Sequence, residues 1–114
     1  MTFARIKEIL AQSVAAWKQR TGVDPNLATH GPAFPLLDKN YTKASLLKAV
    51  ARGRLLIQPE VIGGNRGHEA NLVVSLRTGF AAPRPSRQMP SGGPFLAAPL
   101  IQGIEDWINA GCPD

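Results

Sequence analysis

Few side chains in this chain could perform catalysis or bind a metal. The 114 residues include two histidines, two methionines and one cysteine. A lone thiol, Cys112, excludes an internal disulfide and a zinc site built on several cysteines. Cys112 follows the end of the last predicted helix, where the negative end of the helix dipole disfavours a thiolate. We therefore interpret Cys112 as a residue without a reactive role.

No group of residues forms an enzyme signature. His68 and Glu69 are a candidate base and its orienting carboxylate, but adjacent residues in a helix do not face each other. We expect both to be exposed in the first turn of a helix. Ser86 and Ser91 have no His–Asp pair within sequence reach that would activate a nucleophile. The sequence therefore predicts that the protein is not an enzyme.

A glycine-rich turn at residues 63–67 contains Arg66 and lies close to a predicted helix start, so an anion could bind there. Its spacing matches neither a P-loop nor a dinucleotide-binding fingerprint, so this indication is weak. It stays a minor alternative.

Positive charge is concentrated in one segment. The chain has 13 Lys and Arg against 8 Asp and Glu, a net charge of +5. Residues 39–58 contain no acidic residue but five basic ones: Lys39, Lys43, Lys48, Arg52 and Arg54. Such a patch attracts acidic partners, or else simply forms a solvated helix face. Tyr41 is the one aromatic residue among these charges, so we rank a nucleic-acid partner below an acidic protein.

Neither the start of the chain nor its interior predicts a membrane segment. Arg5, Lys7 and Glu8 interrupt the first apolar residues before a signal-peptide core could form. No apolar run approaches the roughly 20 residues that span a bilayer. We expect a cytoplasmic protein whose residues 1–114 form a single domain.

The two ends of the chain have helical periodicity. In residues 2–20 apolar side chains recur every three or four positions, with Thr2 as N-cap and Gly22 after the end. Residues 98–110 repeat the pattern, and Pro99 is tolerated in the first turn. The predicted core pairs these two helices through Phe3, Ile6, Leu10 and Val14 on the first and Ile101, Ile104, Trp107 and Ile108 on the last.

Two shorter helices are predicted between them. One begins at Thr42, carries an apolar face that includes Leu46 and Val50, and stops at Gly53. The other covers residues 66–77. Residues 55–57 are a strand or a buried extended connector, because periodicity cannot decide at this length. With proline- and glycine-rich loops between its four main helices, the predicted fold class is all-α.

An ordered set of residues closes the chain: Met89-Pro90, Gly92-Gly93-Pro94, Leu96, Ile101, Ile104 and Trp107-Ile108-Asn109-Ala110-Gly111-Cys112-Pro113. This set resembles the end of the class I cytochrome c domains of bacterial multidomain haem proteins. In those domains a Met-Pro loop and a Gly/Pro-rich turn precede a helix ending in Trp-Ile-x-x-Gly-Ala-Pro. The resemblance extends upstream to about Gly53 and implies a cytochrome c-like fold whose first and last helices cross.

The resemblance breaks at the haem-attachment motif. The family places Cys-x-x-Cys-His after its first helix, and the matching place here reads Asn26-Leu27-Ala28-Thr29-His30-Gly31. Asn26 and Thr29 cannot form thioether bonds, so this chain cannot hold a covalent haem. By resemblance, His30 and Met89 occupy the positions of the two axial ligands.

Two functions follow. The first is a haem-free accessory module, without a cofactor, that binds an acidic protein through Lys43, Lys48, Arg52, Arg54, Arg84 and Arg87. In it Met89 fills volume that the haem would occupy, helped by Phe34, Leu36, Leu37, Tyr41, Phe80 and Phe95. The second is an electron-transfer or haem-sensing protein that binds haem b non-covalently through His30 and Met89.

Overall fold

The computed structural model describes residues 1–23, 41–51, 53–81 and 85–114, and these are mostly helical. Four α-helices lie in these ranges: α1 (Phe3–Thr21), α2 (Lys43–Lys48), α3 (Asn71–Arg77) and α4 (Ala98–Asn109). A two-stranded antiparallel hairpin, β1 (Val50–Ala51) and β2 (Arg54–Leu55), follows α2. Short 3-10 helices cover Pro59–Val61 and Gly67–Glu69. This helical content agrees with the predicted all-α class.

Helix α1 begins and ends at the predicted caps. Thr2 Oγ1 accepts a hydrogen bond from the Arg5 N–H at 3.2 Å. Gly22 adopts the left-handed conformation, with φ 69°, and its N–H donates to the Lys18 carbonyl at 2.8 Å. A residue with a side chain rarely adopts this backbone conformation, so glycine is well suited to end the helix here.

The buried face of α1 differs in part from the predicted one. Ile6 and Leu10 are buried as predicted, but Val14 and Trp17 are only half-buried. Ile9 and Ser13 are buried instead. Trp17 stays at the surface because its indole N–H donates to the Ser91 carbonyl in a neighbouring loop at 3.0 Å.

The predicted second helix is too long, and the structure corrects it. Helix α2 is capped by Thr42 as expected but ends at Lys48, and Ala49 is already extended. Val50 is exposed rather than part of an apolar helix face, and it pairs with Leu55 across the hairpin. The β-branched side chain of Val50 and the following Gly53 favour a strand and a turn over further helix. Residues 55–57 thus begin as a strand.

The predicted third helix is split at Ala70. Ala70 is extended between the 3-10 helix at Gly67–Glu69 and α3. The Gln58 side chain satisfies both sides of this break, because its Nε2 donates to the Glu69 carbonyl at 2.8 Å and its Oε1 accepts from the Asn71 N–H at 2.9 Å. Leu72, Val73 and Leu76 form the buried side of α3.

Helix α4 matches its prediction closely. Its first turn contains a proline, and its buried residues are Ile101, Ile104, Trp107 and Ile108. The chain then folds back along the helix, because the Trp107 indole N–H donates to the Pro113 carbonyl at 2.8 Å. Cys112 is buried there.

The core joins the helices and the hairpin, and α1 contacts α4 within it. The Phe3 ring stacks on Trp107 with centroids 6.2 Å apart, and Tyr41 meets Phe3 edge-on at 6.1 Å. The first and last helices therefore touch at the N-terminal end of α1, through Phe3 and Trp107. No helix in the described ranges is long and apolar enough to cross a membrane.

Candidate docking surface

The predicted partner-binding residues occupy different environments. Lys48 and Arg87 are exposed, Arg54 is half-buried, and Lys43 is partly covered. Arg52 and Arg84 lie outside the described residues. The described members belong to two places in the sequence: α2 with its hairpin, and the loop before Met89.

The Arg54 side chain connects these two places. The Arg54 guanidinium lies over the Phe80 ring, with Cζ 3.8 Å from the ring centroid. Phe80 pairs with Ser86 through two backbone hydrogen bonds of 2.8 and 3.0 Å, and Arg87 follows directly. Stacking of a planar guanidinium on an aromatic ring is favourable and fixes its orientation. The hairpin after α2 is therefore in contact with the loop that carries Arg87. We call Lys48, Arg54 and Arg87 the docking surface.

The loop that carries Arg87 is fastened to α3. The Gln88 side chain donates to the Leu76 carbonyl at 3.1 Å, and the Met89 N–H donates to the Ser75 carbonyl at 2.8 Å. These bonds hold the backbone on the C-terminal side of Arg87, while the pairing of Phe80 with Ser86 holds it on the other. The Arg87 side chain thus starts from a fixed backbone.

The sequence around the docking surface carries no negative charge. Residues 39–59 and 70–104 contain no Asp or Glu. Two carboxylates elsewhere are already paired: Glu69 with Arg66 at 2.8 Å and Glu105 with Arg77 at 2.8 Å. The hydrogen bond from Arg77 lowers the pKa of Glu105. Among the described residues, neither Lys48 nor Arg87 forms an ion pair with a carboxylate.

Lys43 has a different environment from the exposed bases. Its Nζ lies 2.6 Å from the Asp114 carboxylate and donates to the Cys112 carbonyl at 3.0 Å. Lys43 therefore fastens the C-terminal residues to α2, and its charge is already paired.

Of the two residues proposed as axial ligands, the structure describes only Met89. His30 lies outside the described residues, as do Asn26 and Thr29 and the predicted cavity residues Phe34, Leu36 and Leu37. Met89 is half-buried and packs against the core. Of the predicted cavity residues that are described, Tyr41 is buried and Phe80 half-buried, but Phe95 is 49% exposed and does not fill the interior.

A covalent haem does not fit this chain. Thioether attachment needs cysteines, and the single one, Cys112, is buried after α4 with its N–H donating to the Trp107 carbonyl. Burial raises the pKa of the Cys112 thiol, which disfavours the nucleophilic thiolate.

Neither of the other candidate sites forms. His68 and Glu69 are both exposed, and their side chains approach only to 3.9 Å, too long for a hydrogen bond. In the glycine-rich turn, Arg66 is bonded to Glu69, and the Gly67 N–H donates to Asn109 Oδ1 at 2.7 Å. The Arg66 guanidinium and the Gly67 N–H are thus already bonded within the chain. Within the described ranges, no group of three potential metal ligands is present.

Sequence reasoning missed the contacts that shape the surface. The stacking of Arg54 on Phe80 joins residues 26 positions apart, and Arg20 bonds to Gly93 across 73 positions. Local patterns carry no signal for such pairs. The absence of Asp and Glu from residues 70–104 is the one sequence signal that the loop carrying Arg87 shares the basic character of residues 39–58.

Comparison with known proteins finds no matching family model, no matching curated protein and no matching solved structure.

Proposed function

We propose that this chain is a haem-free, cytochrome c-like accessory module that binds an acidic protein through the docking surface. The stacking of Arg54 on Phe80 carries the proposal, because it unites the basic residues of the hairpin with those of the loop. The acid-free sequence on both sides of this contact supports it further.

Electrostatics explains why an acidic protein is the matching partner. Exposed cations in acid-free stretches of sequence create a positive potential that accelerates encounter with an anionic surface. Lys48 and Arg87 are the exposed members of the docking surface, and partner carboxylates would supply the counter-charges. Arg54 contributes by holding the two segments together through Phe80.

Three features support the cytochrome c-like part of the proposal. The described residues are mostly helical, and α1 contacts α4 through Phe3 and Trp107. The Met89 loop immediately precedes α4, as in the family that the sequence resembles. A crossing of the first and last helices belongs to the same proposal.

The docking proposal is tested with a defined anionic probe. A fluorescent poly-glutamate peptide is titrated with the protein, and binding is followed by anisotropy at low and high salt. The variant pair Lys48→Gln and Arg87→Gln removes two charges from the docking surface. The matched control, Arg5→Gln with Arg66→Gln, gives the same net charge but leaves the surface intact. We expect the first double variant to bind about tenfold more weakly and the control to bind like the parent within about twofold.

Two outcomes would contradict the proposal. Equal losses in both double variants would mean that the probe senses net charge alone. Tighter binding to single-stranded DNA than to poly-glutamate, at equal probe charge and with a steep salt dependence, would indicate a nucleic-acid partner instead.

A second candidate function is the non-covalent binding of haem b by His30 and Met89. The fixed position of Met89, half-buried and bonded through its N–H to Ser75, favours this candidate. The haem would supply redox or sensing chemistry when bound. Titration with hemin tests it: a Soret shift that is lost in His30→Ala and Met89→Leu supports haem binding. No shift in the parent protein ends this candidate.

A further inference from the structure

Two side chains at the end of α1 hold the loop that leads into α4. The Trp17 indole N–H donates to the Ser91 carbonyl at 3.0 Å. Arg20 donates through Nη2 to the same carbonyl at 3.0 Å and through Nε to the Gly93 carbonyl at 2.6 Å. The guanidinium therefore bridges two carbonyls that lie two residues apart, and one of them is shared with Trp17.

The loop is shaped to receive the guanidinium. The Gly93 N–H donates to the Pro90 carbonyl at 2.7 Å, which closes a tight turn around Ser91 and Gly92. Gly92 has φ 78°, and a Cβ there would lie 2.8 Å from Arg20 Nη2. A side chain at this position would therefore be strained and would also collide with Arg20. Glycine allows the close approach.

Residues 90–97 have few other hydrogen-bonded attachments, and Leu96 near their end packs against the core. Before them, Met89 is fastened to α3 by its N–H bond to Ser75, and after them α4 begins at Ala98. Apart from the bonds that the Ala97 carbonyl accepts from the first turn of α4, the hydrogen bonds from other elements of the described chain to these residues are the three from Trp17 and Arg20. Gly93 is nevertheless buried. A segment that is held by few hydrogen bonds, most of them exposed to solvent, can open locally.

We infer that Trp17 and Arg20 form a latch that holds residues 90–97 closed, and that these residues open as a local unit when the latch releases. Met89 and α3 stay in place during this opening, because their hydrogen bonds do not involve α1. The bonds to Ser91 are exposed to solvent, so water can compete for the carbonyl as soon as Arg20 moves. This inference is independent of the proposed function.

Amide hydrogen exchange measured by NMR tests the latch. The reporter is the Gly93 amide, which is buried and bonded inside the turn, and the reference is the Met89 amide, which anchors the loop to α3. In Arg20→Ala we expect exchange at Gly93 to accelerate about tenfold or more, because two of the three latch bonds are lost. Arg20→Lys keeps the charge but lacks the two separated donor nitrogens of the guanidinium, so it should accelerate exchange at Gly93 as well.

Gln19→Ala serves as the matched control, since Gln19 is the exposed neighbour of Arg20 on α1. It should leave both amides unchanged. The latch is contradicted if exchange at Gly93 stays within about twofold of the parent in both Arg20 variants. It is equally contradicted if Met89 accelerates as much as Gly93, because the variant then loosens the whole fold rather than one loop.

Discussion

Tyr41 combines deep burial with an unsatisfied polar group. It contacts Phe3, and within the described residues its hydroxyl has no hydrogen-bond partner. Burial raises its pKa to about 12, so the hydroxyl stays neutral over the physiological range. A buried hydroxyl without a partner loses its hydrogen bonds to water and gains none in return. We therefore expect Tyr41→Phe to leave the free energy of unfolding unchanged or to raise it by about 1 kcal/mol, as measured by urea denaturation.

The phenylalanine variant keeps the ring that Phe3 and Lys7 contact, so it isolates the hydroxyl. Tyr41→Ala is the positive control and should cost about 3–5 kcal/mol, because it removes the ring as well. A loss of more than about 1 kcal/mol in Tyr41→Phe would show that the hydroxyl has an acceptor in the native protein.

At the residue scale, what sequence can predict depends on distance along the chain. The cap at Thr2 and the left-handed Gly22 follow from residues within one helical turn, and both are confirmed. The bond from Lys43 to the Cys112 carbonyl joins residues 69 positions apart. Its formation depends on how α2 and α4 pack, which no local pattern of residues encodes.

At the element scale, mutation can test the predicted contact between α1 and α4 directly. Ile104 is fully buried on α4, so Ile104→Ala should lower the free energy of unfolding by about 2–5 kcal/mol through lost apolar contacts and a new cavity. Phe95→Ala is the surface control and should stay within about 0.5 kcal/mol of the parent. Chemical denaturation measures both. Equal effects at the two positions would mean that the core has been misplaced.

The ion pair between α3 and α4 should make stability depend on pH. Arg77 Nη1 lies 2.8 Å from Glu105 Oε1, and this hydrogen bond lowers the pKa of Glu105 below its usual 4.5. A lowered carboxyl pKa stabilises the fold above the unfolded-state pKa, and the gain is lost as pH falls through the folded-state pKa. We expect Arg77→Met to cost about 1 kcal/mol at neutral pH, since Arg77 is partly exposed, and less at about pH 3.

Comparing the free energy of unfolding of the parent protein with that of Arg77→Met at each pH isolates the contribution of Glu105. Arg66 also lowers the pKa of Glu69, but that carboxyl titrates alike in both proteins and cancels. A cost that stays constant between the two pH values would rule out the ion pair as its source.

The boundaries of helices could be predicted where neighbouring residues determine them. They could not be predicted where a side chain distant in the sequence determines them. Helix α4 follows from periodicity and a proline in its first turn. The break at Ala70 could not be predicted, because it depends on Gln58. The side-chain amide of Gln58 bonds the Glu69 carbonyl and the Asn71 N–H on either side of the break. The end of α2 at Lys48 likewise depends on pairing between β1 and β2.

At the scale of the whole molecule, the sequence indicated a basic, mostly helical protein, and the structure adds how its charges are grouped. Paired charges lie on α3 and α4, whereas the exposed bases Lys48 and Arg87 lie at the end of α2 and on the loop that contacts the hairpin through Arg54 and Phe80. A haem-free docking module needs only this surface. A haem protein needs His30 and Met89 to bind the iron.

The absorption spectrum of the protein purified from its native cells tests the central claim most directly. A haem-free module predicts no Soret band and no gain of one when hemin is added. A stoichiometric Soret band in the isolated protein, weakened in Met89→Leu, would contradict the account.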